Sequence, residues 1–158
     1  MCWMCDNPGA TLDDYDDLVR RTISCCGWFV QSVERSRWRP GFSYTVGLTE
    51  LGRPELLMTG RPAKAALDVL NGVTEHLVHH SGGCLWPGDH VSLCDHPDIE
   101  VVQVAEPTVH LVTACRIYGP AVEAFQLVCA DDRGRWPWEV GFRGRQPVLG
   151  PRSAESAP

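Results

Sequence analysis

The amino-acid sequence predicts a single α+β domain in which a mainly antiparallel β-sheet is packed by two or three helices. Its 158 residues, of which 44% are hydrophobic and 22% charged, match one globular domain with a core of its own. Two segments repeat apolar residues at helical spacing, and several shorter ones alternate or run apolar as strands do. Turns that contain glycine or proline separate these segments.

The first helix is predicted to follow Thr11, whose hydroxyl can cap it, and to end near Cys26 because Gly27 follows. The acidic residues of its first turns, which the helix dipole favours, are Asp13, Asp14, Asp16 and Asp17. The ten residues before it show no periodicity. We therefore interpret residues 1–10 as a cysteine-containing lead-in to a domain over residues 11–151.

Strands are predicted where β-branched, aromatic and apolar residues cluster between turns, at 28–33, 42–46, 54–59, 90–94, 99–105 and 123–130. The polar arm 34–41 then forms a long hairpin loop. A second helix is expected from Pro62 to about His80, because proline fits the first helical turn and an apolar stripe follows. A shorter helix is expected over 107–118, and the tail 152–158 has no apolar stripe and is expected to be disordered.

Charge and hydropathy narrow the class of protein. The net charge of -6 argues against broad electrostatic binding to nucleic acid or to anionic lipid, and no DNA-binding motif is present. No run of about 18 apolar residues and no signal peptide occurs, so we expect a cytoplasmic protein that does not bind membranes. In that reducing compartment the eight cysteines are expected to be thiols or metal ligands rather than disulfides.

The chain begins with a C-x-x-C pair, Cys2 and Cys5, which has the spacing of half a Zn²⁺ site. Two further ligands would come from Cys25 and Cys26 or from the segment 76–96, and mixed thiolate and imidazole ligation suits zinc. The candidate ligands of that segment are His76, His80 and Cys84. A redox pair would need a strand before the first thiol, which is absent, and a frayed end is the remaining alternative.

The same segment has a catalytic and an ordinary interpretation. An open zinc position with a bound water would make a metal-dependent hydrolase. However, Glu75 precedes His76, so the H-E-x-x-H motif is absent, and histidines in the last turn of a helix commonly bond its free carbonyls. No nucleophile elbow and no phosphate-binding glycine loop occur either. We therefore expect no enzymatic activity.

Two arginine and tryptophan clusters have the composition of partner-binding surfaces. The first lies on the arm and comprises Arg35, Arg37, Trp38 and Arg39. The second comprises Arg133, Arg135, Trp136 and Trp138. The arm could meet an acidic protein or RNA phosphate, or be a solvated loop, and the second pair of tryptophans could instead close the open end of the sheet.

A set of short motifs runs along the chain: Gly27-Trp28, Phe42 to Leu48, Pro54 to Leu56, Gly60, Tyr118-Gly119, Gln126 to Val128, Asp132 to Trp138 and Gln146 to Gly150. In this order and spacing they resemble the bacterial family catalogued only as domain of unknown function 4262. The likeness covers roughly residues 11–151, and the N-terminal C-x-x-C resembles a feature of an actinobacterial branch. The resemblance implies a single α+β domain and no particular reaction.

These features together predict a non-enzymatic cytoplasmic regulatory or interaction protein. It would bind Zn²⁺ through its N-terminal cysteines, meet a protein or ribonucleoprotein partner, and act in a metal- or stress-linked response. Two alternatives stay open: a metal-dependent hydrolase-like enzyme that uses the segment 76–96, and a metal-free small-ligand or toxin-antidote type binding domain.

Overall fold

The structure, a computed structural model, describes residues 3–80 and 83–153. These residues form one six-stranded β-sheet with β1 Phe29–Val33, β2 Phe42–Val46, β3 Glu55–Thr59, β4 His90–Val91, β5 Ile99–Gln103 and β6 Ala124–Cys129. The strand order is β1-β2-β3-β6-β5-β4, and every neighbouring pair is antiparallel except β3 and β6. The predicted α+β fold with a mainly antiparallel sheet is confirmed.

Helices cover both faces of the sheet. They are α1 Trp3–Asp6, α2 Leu12–Cys26, α3 Ala63–His79, α4 Pro107–His110 and α5 Val112–Tyr118, with a 3₁₀-helix at Leu48–Leu51. α3 packs against Leu56 and Met58 of β3, whereas α2 and α5 share the opposite cluster with Leu57. Successive strand residues point to opposite faces, so β3 contributes to both layers. Among the described helices none is long and apolar enough to cross a membrane.

The ends of α2 agree with the sequence. The Thr11 hydroxyl accepts the N–H of Asp14 at 3.2 Å, and the Asp14 carboxylate accepts the N–H of Thr11 at 2.7 Å, which completes a capping box. Gly27 has a φ of 92° and donates its N–H to the Ile23 carbonyl at 2.7 Å. α1 was not predicted, and its residue Trp3 packs on Tyr15 of α2 with ring centroids 5.4 Å apart.

Two predicted elements differ from those observed. The strand predicted over 90–94 contains only two residues, because Leu93 leaves the sheet and packs beside Gly72 of α3. The helix predicted over 107–118 is broken at Leu111, whose ψ of 54° is not helical and whose side chain is fully buried. Burial of Leu111 in the α2–α5 layer explains why the chain turns there.

A C-terminal strap, residues 145–150, runs across β3 and β6. The amide group of Gln126 makes two hydrogen bonds to the strap. Its Nε2 donates to the Pro147 carbonyl at 2.7 Å, and its Oε1 accepts the N–H of Leu149 at 2.7 Å. The Thr59 hydroxyl donates to the same Pro147 carbonyl at 2.7 Å. The strap is thereby joined to β3 and β6 at the centre of the sheet.

Candidate functional site

A cavity of about 840 Å³ opens between the arm, the end of β3, the start of α3 and the strap. Five arginines line it: Arg35, Arg37 and Arg39 of the arm, Arg61 between β3 and α3, and Arg145 of the strap. We call it the arginine cavity. Its volume falls within the range of about 300–1,000 Å³ that is usual for small-molecule sites.

The arm is shaped by one serine. The Ser36 hydroxyl accepts the N–H of Arg39 at 3.1 Å and that of Trp38 at 3.3 Å, and the Ser36 N–H donates to the Arg39 carbonyl at 2.9 Å. This local turn places three arginines along a short stretch of the rim. Trp38 between them is 82% exposed, with the guanidinium of Arg37 at 5.7 Å from its ring centre.

Gly60 brings the two remaining arginines together. It ends β3 with a φ of 68°, and a Cβ there would lie 2.1 Å from the carbonyl oxygen of Arg145. The strap can therefore touch the end of β3 only because this residue has no side chain. Arg61 follows directly, and its Nε is buried with no hydrogen-bond partner among the described residues.

The charged side chains that line the arginine cavity are mostly positive. Of its lining residues, five carry a guanidinium group and Glu34 carries a carboxylate. Within residues 3–80 and 83–153, none of the five arginines forms an ion pair with a carboxylate. The site thus concentrates positive charge in a chain whose net charge is -6.

The start of α3 adds backbone donors to this charge. Pro62 occupies the N-cap and makes no side-chain capping bond, so the first N–H groups of this 17-residue helix have no side-chain acceptor. Helix N-termini favour anions through these groups and through the helix dipole. The backbone N–H groups and the guanidinium groups therefore both favour a negatively charged ligand.

A second cavity of about 340 Å³ adjoins the first and is walled mainly by apolar and aromatic side chains. Phe42 lies on its border with the arginine cavity, and Tyr44, Val109, His110 and Val112 line its far side. Burial and then the charge of Arg39 lower the pKa of His110, so its imidazole is neutral at neutral pH. We call this second space the apolar cavity.

The predicted zinc ligands within the described residues lie in α1, at the end of α2, and at or just after the end of α3. Cys2 lies outside the described residues. Cys5 belongs to α1, which packs at Tyr15, whereas Cys25 lies ten residues further along α2, about 15 Å away at 1.5 Å per residue. Cys25 and Cys26 are both exposed, because the end of α2 extends past its last buried residue, Ile23.

The histidine-rich segment brings two of its predicted ligands together. The rings of His76 and His80 lie 4.6 Å apart between centroids, one helical turn from each other. Cys84 is exposed and follows the undescribed residues 81–82. In the described ranges no three His, Cys, Asp or Glu residues are placed to hold a metal ion. Zinc binding and the hydrolase alternative stay predictions from the sequence.

The tryptophans of the second predicted partner surface are packed against other residues of the protein. Trp136 and Trp138 are half-buried and stack with centroids 5.5 Å apart and planes 6° apart. The Arg152 guanidinium lies 3.9 Å from the ring centre of Trp138 and donates two hydrogen bonds to Glu100. Arg152 thus makes ordered contacts although it begins the segment predicted to be a disordered tail; residues 154–158 lie outside the described part of the chain. His90 meets Trp136 edge-on.

Asp131 organises the loop that carries these tryptophans. It is buried and accepts the N–H groups of Arg133, Arg135 and Arg143, each at 2.9 Å, while the Arg135 Nε donates at 3.2 Å. Arg135 is therefore engaged inside the loop, and Arg133 is exposed. Burial opposes ionisation of Asp131, but the backbone donors of Arg135, Arg143 and Arg133 lower its pKa overall.

Asp131 is expected to make the protein less stable in acid. Its folded pKa is lowered, so its contribution is present above the unfolded value of about 3.9 and is lost as the pH falls below it. The melting temperature of Asp131→Asn should lie below that of the wild type at pH 7, and the gap should shrink below about pH 4. Thermal scans across pH 2–7 measure this, with the exposed neighbour Asp132→Asn as the control. A gap that stays constant with pH would contradict the role of this carboxylate.

Sequence reasoning assigned three of the five cavity arginines and missed two. Arg35, Arg37 and Arg39 are close in sequence, so their local density was visible. Arg61 and Arg145 join them through the contact of the strap with Gly60, which connects residues far apart in the chain. The sequence offered one signal for Arg61, because this arginine lies directly before Pro62 at the start of α3.

The fold and the site define this chain as a small α+β domain with a basic cavity beside an apolar one. The model of the family described as "Domain of unknown function (DUF4262)" matches residues 22–143. The chain belongs to this family, which confirms the resemblance found in its motifs. Comparisons with curated proteins and with solved structures find no match. The family match includes the arm and Arg61, and Arg145 follows it closely.

Proposed function

We propose that this protein is a non-enzymatic binding protein that recognises a phosphate-bearing ligand or partner in the arginine cavity. The observation that carries the proposal is the convergence of five arginines, none ion-paired within the described residues, on one cavity. Guanidinium groups match phosphate oxygens with paired hydrogen bonds, and such charge-assisted bonds are stronger than neutral ones.

Electrostatics supports an anion as the missing partner. Like charges that line one partly enclosed space repel each other more strongly than they would in bulk water. Elsewhere in the described chain, three arginines form ion pairs with carboxylates: Arg116 with Asp16, Arg135 with Asp131 and Arg152 with Glu100. A bound phosphate would relieve the repulsion among the cavity arginines and would also accept the free N–H groups of α3.

The proposal keeps the cytoplasmic interaction protein expected from the sequence and defines its recognition site more closely. The site consists of the arm together with Arg61 and Arg145, rather than the arm alone. Zinc binding through Cys2 and Cys5, a metal- or stress-linked role, and a protein or ribonucleoprotein partner stay predictions that these observations leave untested.

Titration with inorganic pyrophosphate tests the proposal. We expect binding to the full chain by isothermal titration calorimetry, weakening as salt rises because the attraction is screened. Arg145→Gln should weaken it about tenfold or more, since a hydrogen bond to a charged group is worth about 1.5–3 kcal/mol, and Arg61→Gln with Arg145→Gln should abolish it.

Arg143→Gln is the matched control, because it removes the same charge two residues before Arg145, at a position that does not line the cavity. Its affinity for pyrophosphate should equal that of the wild type. Absence of pyrophosphate binding to the wild type, or an equal loss in Arg143→Gln and Arg145→Gln, would refute the proposed function.

A further inference from the structure

We propose that the phosphate-bearing partner is a phosphorylated peptide segment of another protein, which adds a strand to the free edge of β1 and directs a phosphoserine at the arginine cavity. This inference rests on the proposed function and names the class of partner. It starts from the position of β1, which is an edge strand of the sheet and leads directly into the arm. Val33, the last residue of β1, itself lines the arginine cavity.

The register of the sheet shows which backbone groups of β1 face outward. Gly60 donates its N–H to the Gly41 carbonyl at 3.0 Å, so Gly41 bonds toward β3. Successive residues of an antiparallel strand bond in opposite directions, so Tyr44, three residues further along, bonds toward β1. Its partner there is Gln31, which therefore bonds toward β2. The residues on either side of Gln31 thus direct their backbone groups away from the sheet.

These two residues, Val30 and Ser32, have backbone groups free for a further strand. Within residues 3–80 and 83–153, neither of their N–H groups donates a hydrogen bond. The Ser32 carbonyl accepts one bond, from Nε2 of Gln31 at 3.0 Å, and its oxygen has a second lone pair. Ser32 is exposed. An edge of this kind is a template on which extended peptides bind as an additional strand.

An added strand would present its side chains alternately to the two faces of the sheet. The arginine cavity includes Ala63 of α3 and the apolar cavity includes Val109 of α4, so the two lie on opposite faces. The Ser32 hydroxyl bonds to that of Ser43, which lines the arginine cavity, at 2.9 Å. A peptide residue opposite Ser32 therefore directs its side chain to the face with the arginine cavity, and the residues on either side of it face the apolar cavity.

The linings of the two cavities define the peptide. The arginines of the arm begin with Arg35, two residues after the end of β1, and none of them is ion-paired within the described residues. A phosphoserine opposite Ser32 would supply about -1.5 to -2 charges beside them at neutral pH. Apolar residues before and after the phosphoserine suit the apolar cavity. We therefore expect an extended segment in which phosphoserine stands between two apolar residues.

Charge complementarity favours such a partner over a second copy of this chain. β1 has the sequence FVQSV and contains no acidic residue. A second β1 paired on the first would satisfy the edge but would bring no anion in its strand to the arginines. A phosphopeptide supplies both the strand and the anion.

Isothermal titration calorimetry with the peptide Gly-Val-Thr-Val-pSer-Val-Thr-Val-Gly tests the inference. The full chain should bind it about tenfold more tightly than N-acetyl-phosphoserine methylamide, which has the same phosphate but forms no strand. The unphosphorylated peptide should bind at least about tenfold more weakly than the phosphopeptide, because it has no charged acceptor for the arginines.

A change in the peptide backbone tests the added strand without altering the protein. N-methylation of the phosphoserine amide should weaken binding about fivefold, because this N–H is directed at β1. N-methylation of the valine that follows is the matched control, since its amide is directed away from β1, and it should have little effect. Equal losses from the two methylations would refute strand addition at β1.

A change in the protein tests the same edge. Ser32→Pro removes the outward N–H, and proline is accepted on edge strands where the N–H faces solvent. Ser32→Ala is its control, because it loses the same hydroxyl bond to Ser43 but keeps the N–H. The proline variant should bind the phosphopeptide about fivefold more weakly than the alanine variant. Both should bind pyrophosphate as the wild type does, since Ser32 does not line the arginine cavity.

The outcomes distinguish this inference from the proposed function. If pyrophosphate binds through Arg145 but the phosphopeptide binds no more tightly than the capped phosphoserine, the peptide inference fails and the proposed function stands. If neither pyrophosphate nor the phosphopeptide binds, both fail. If sedimentation shows a dimer that Ser32→Pro converts to monomers, a second copy occupies β1 and the peptide inference is overturned.

Discussion

Replacing Glu55 by glutamine is expected to lower the free energy of unfolding by about 3 kcal/mol. Glu55 opens β3, is fully buried, and accepts five hydrogen bonds. The hydroxyls of Thr45 and Thr49 donate at 2.7 and 2.8 Å, and the N–H groups of Gly47, Leu48 and Thr49 donate at 3.0, 3.3 and 3.0 Å. Burial raises the pKa of Glu55, and these hydroxyl and amide donors offset part of that shift.

The expected loss follows from where the donors are. A glutamine would place an NH₂ group against backbone N–H groups at the start of the 3₁₀-helix, leaving at least one buried amide without an acceptor. Each buried unsatisfied donor costs about 1–3 kcal/mol. The loss of charge-assisted bonding adds to this cost.

Urea titration at neutral pH measures this effect through the unfolding midpoint. Glu123→Gln is the control, because Glu123 precedes the neighbouring strand β6, is exposed, and loses the same charge. It should change stability by less than about 0.5 kcal/mol. Equal stability losses in the two variants would mean that the Glu55 carboxylate does not organise this turn.

Glu55 also gives a physical reason for two of the motifs that carry the family resemblance. Phe42 to Leu48 contains donors, and Pro54 to Leu56 contains the acceptor. The sequence predicted both strands from their apolar residues but not the burial of this glutamate, because charged side chains are rarely buried unless paired. Its partners are mostly backbone N–H groups, which no residue type reveals.

In the fold, too, the features set by local contacts were predictable from the sequence, and the features set by tertiary packing were not. The capping box and Gly27 set the ends of α2 through contacts within four residues, so the sequence predicted them well. The short β4 and the break at Leu111 depend on packing against other elements. Propensity alone cannot anticipate such tertiary contacts.

The candidate site likewise has a local part that was predictable and a tertiary part that was not. The arginines of the arm form one local cluster and were predicted as a binding surface. The cavity itself arises only when the strap reaches β3, through the Gln126 side chain and the absence of a side chain at Gly60. A buried glutamine in the middle of a strand was the clue, because a buried amide needs partners on both sides.

Substituting Gly60 by alanine is expected to cost about 3 kcal/mol of stability and to weaken pyrophosphate binding. The residue has a φ of 68°, which costs a side-chain-bearing residue about 1–2 kcal/mol. The new Cβ would also lie 2.1 Å from the Arg145 carbonyl oxygen and 2.9 Å from the Gln146 Cα. Both obstacles are backbone atoms, so the strap must move, and overpacking of this kind costs about 1–3 kcal/mol.

Gly52→Ala separates the two causes, because Gly52 has a φ of 67° and a Cβ there would meet nothing within 4 Å. It should lose only the conformational part, about 1–2 kcal/mol, and bind pyrophosphate as the wild type does. Gly60→Ala should lose more stability and, measured well below its melting temperature, bind pyrophosphate several-fold more weakly because Arg145 moves with the strap. Equal stability losses would show that the strap yields without cost. Unchanged binding in folded Gly60→Ala would mean that Arg145 does not depend on Gly60 for its place in the arginine cavity.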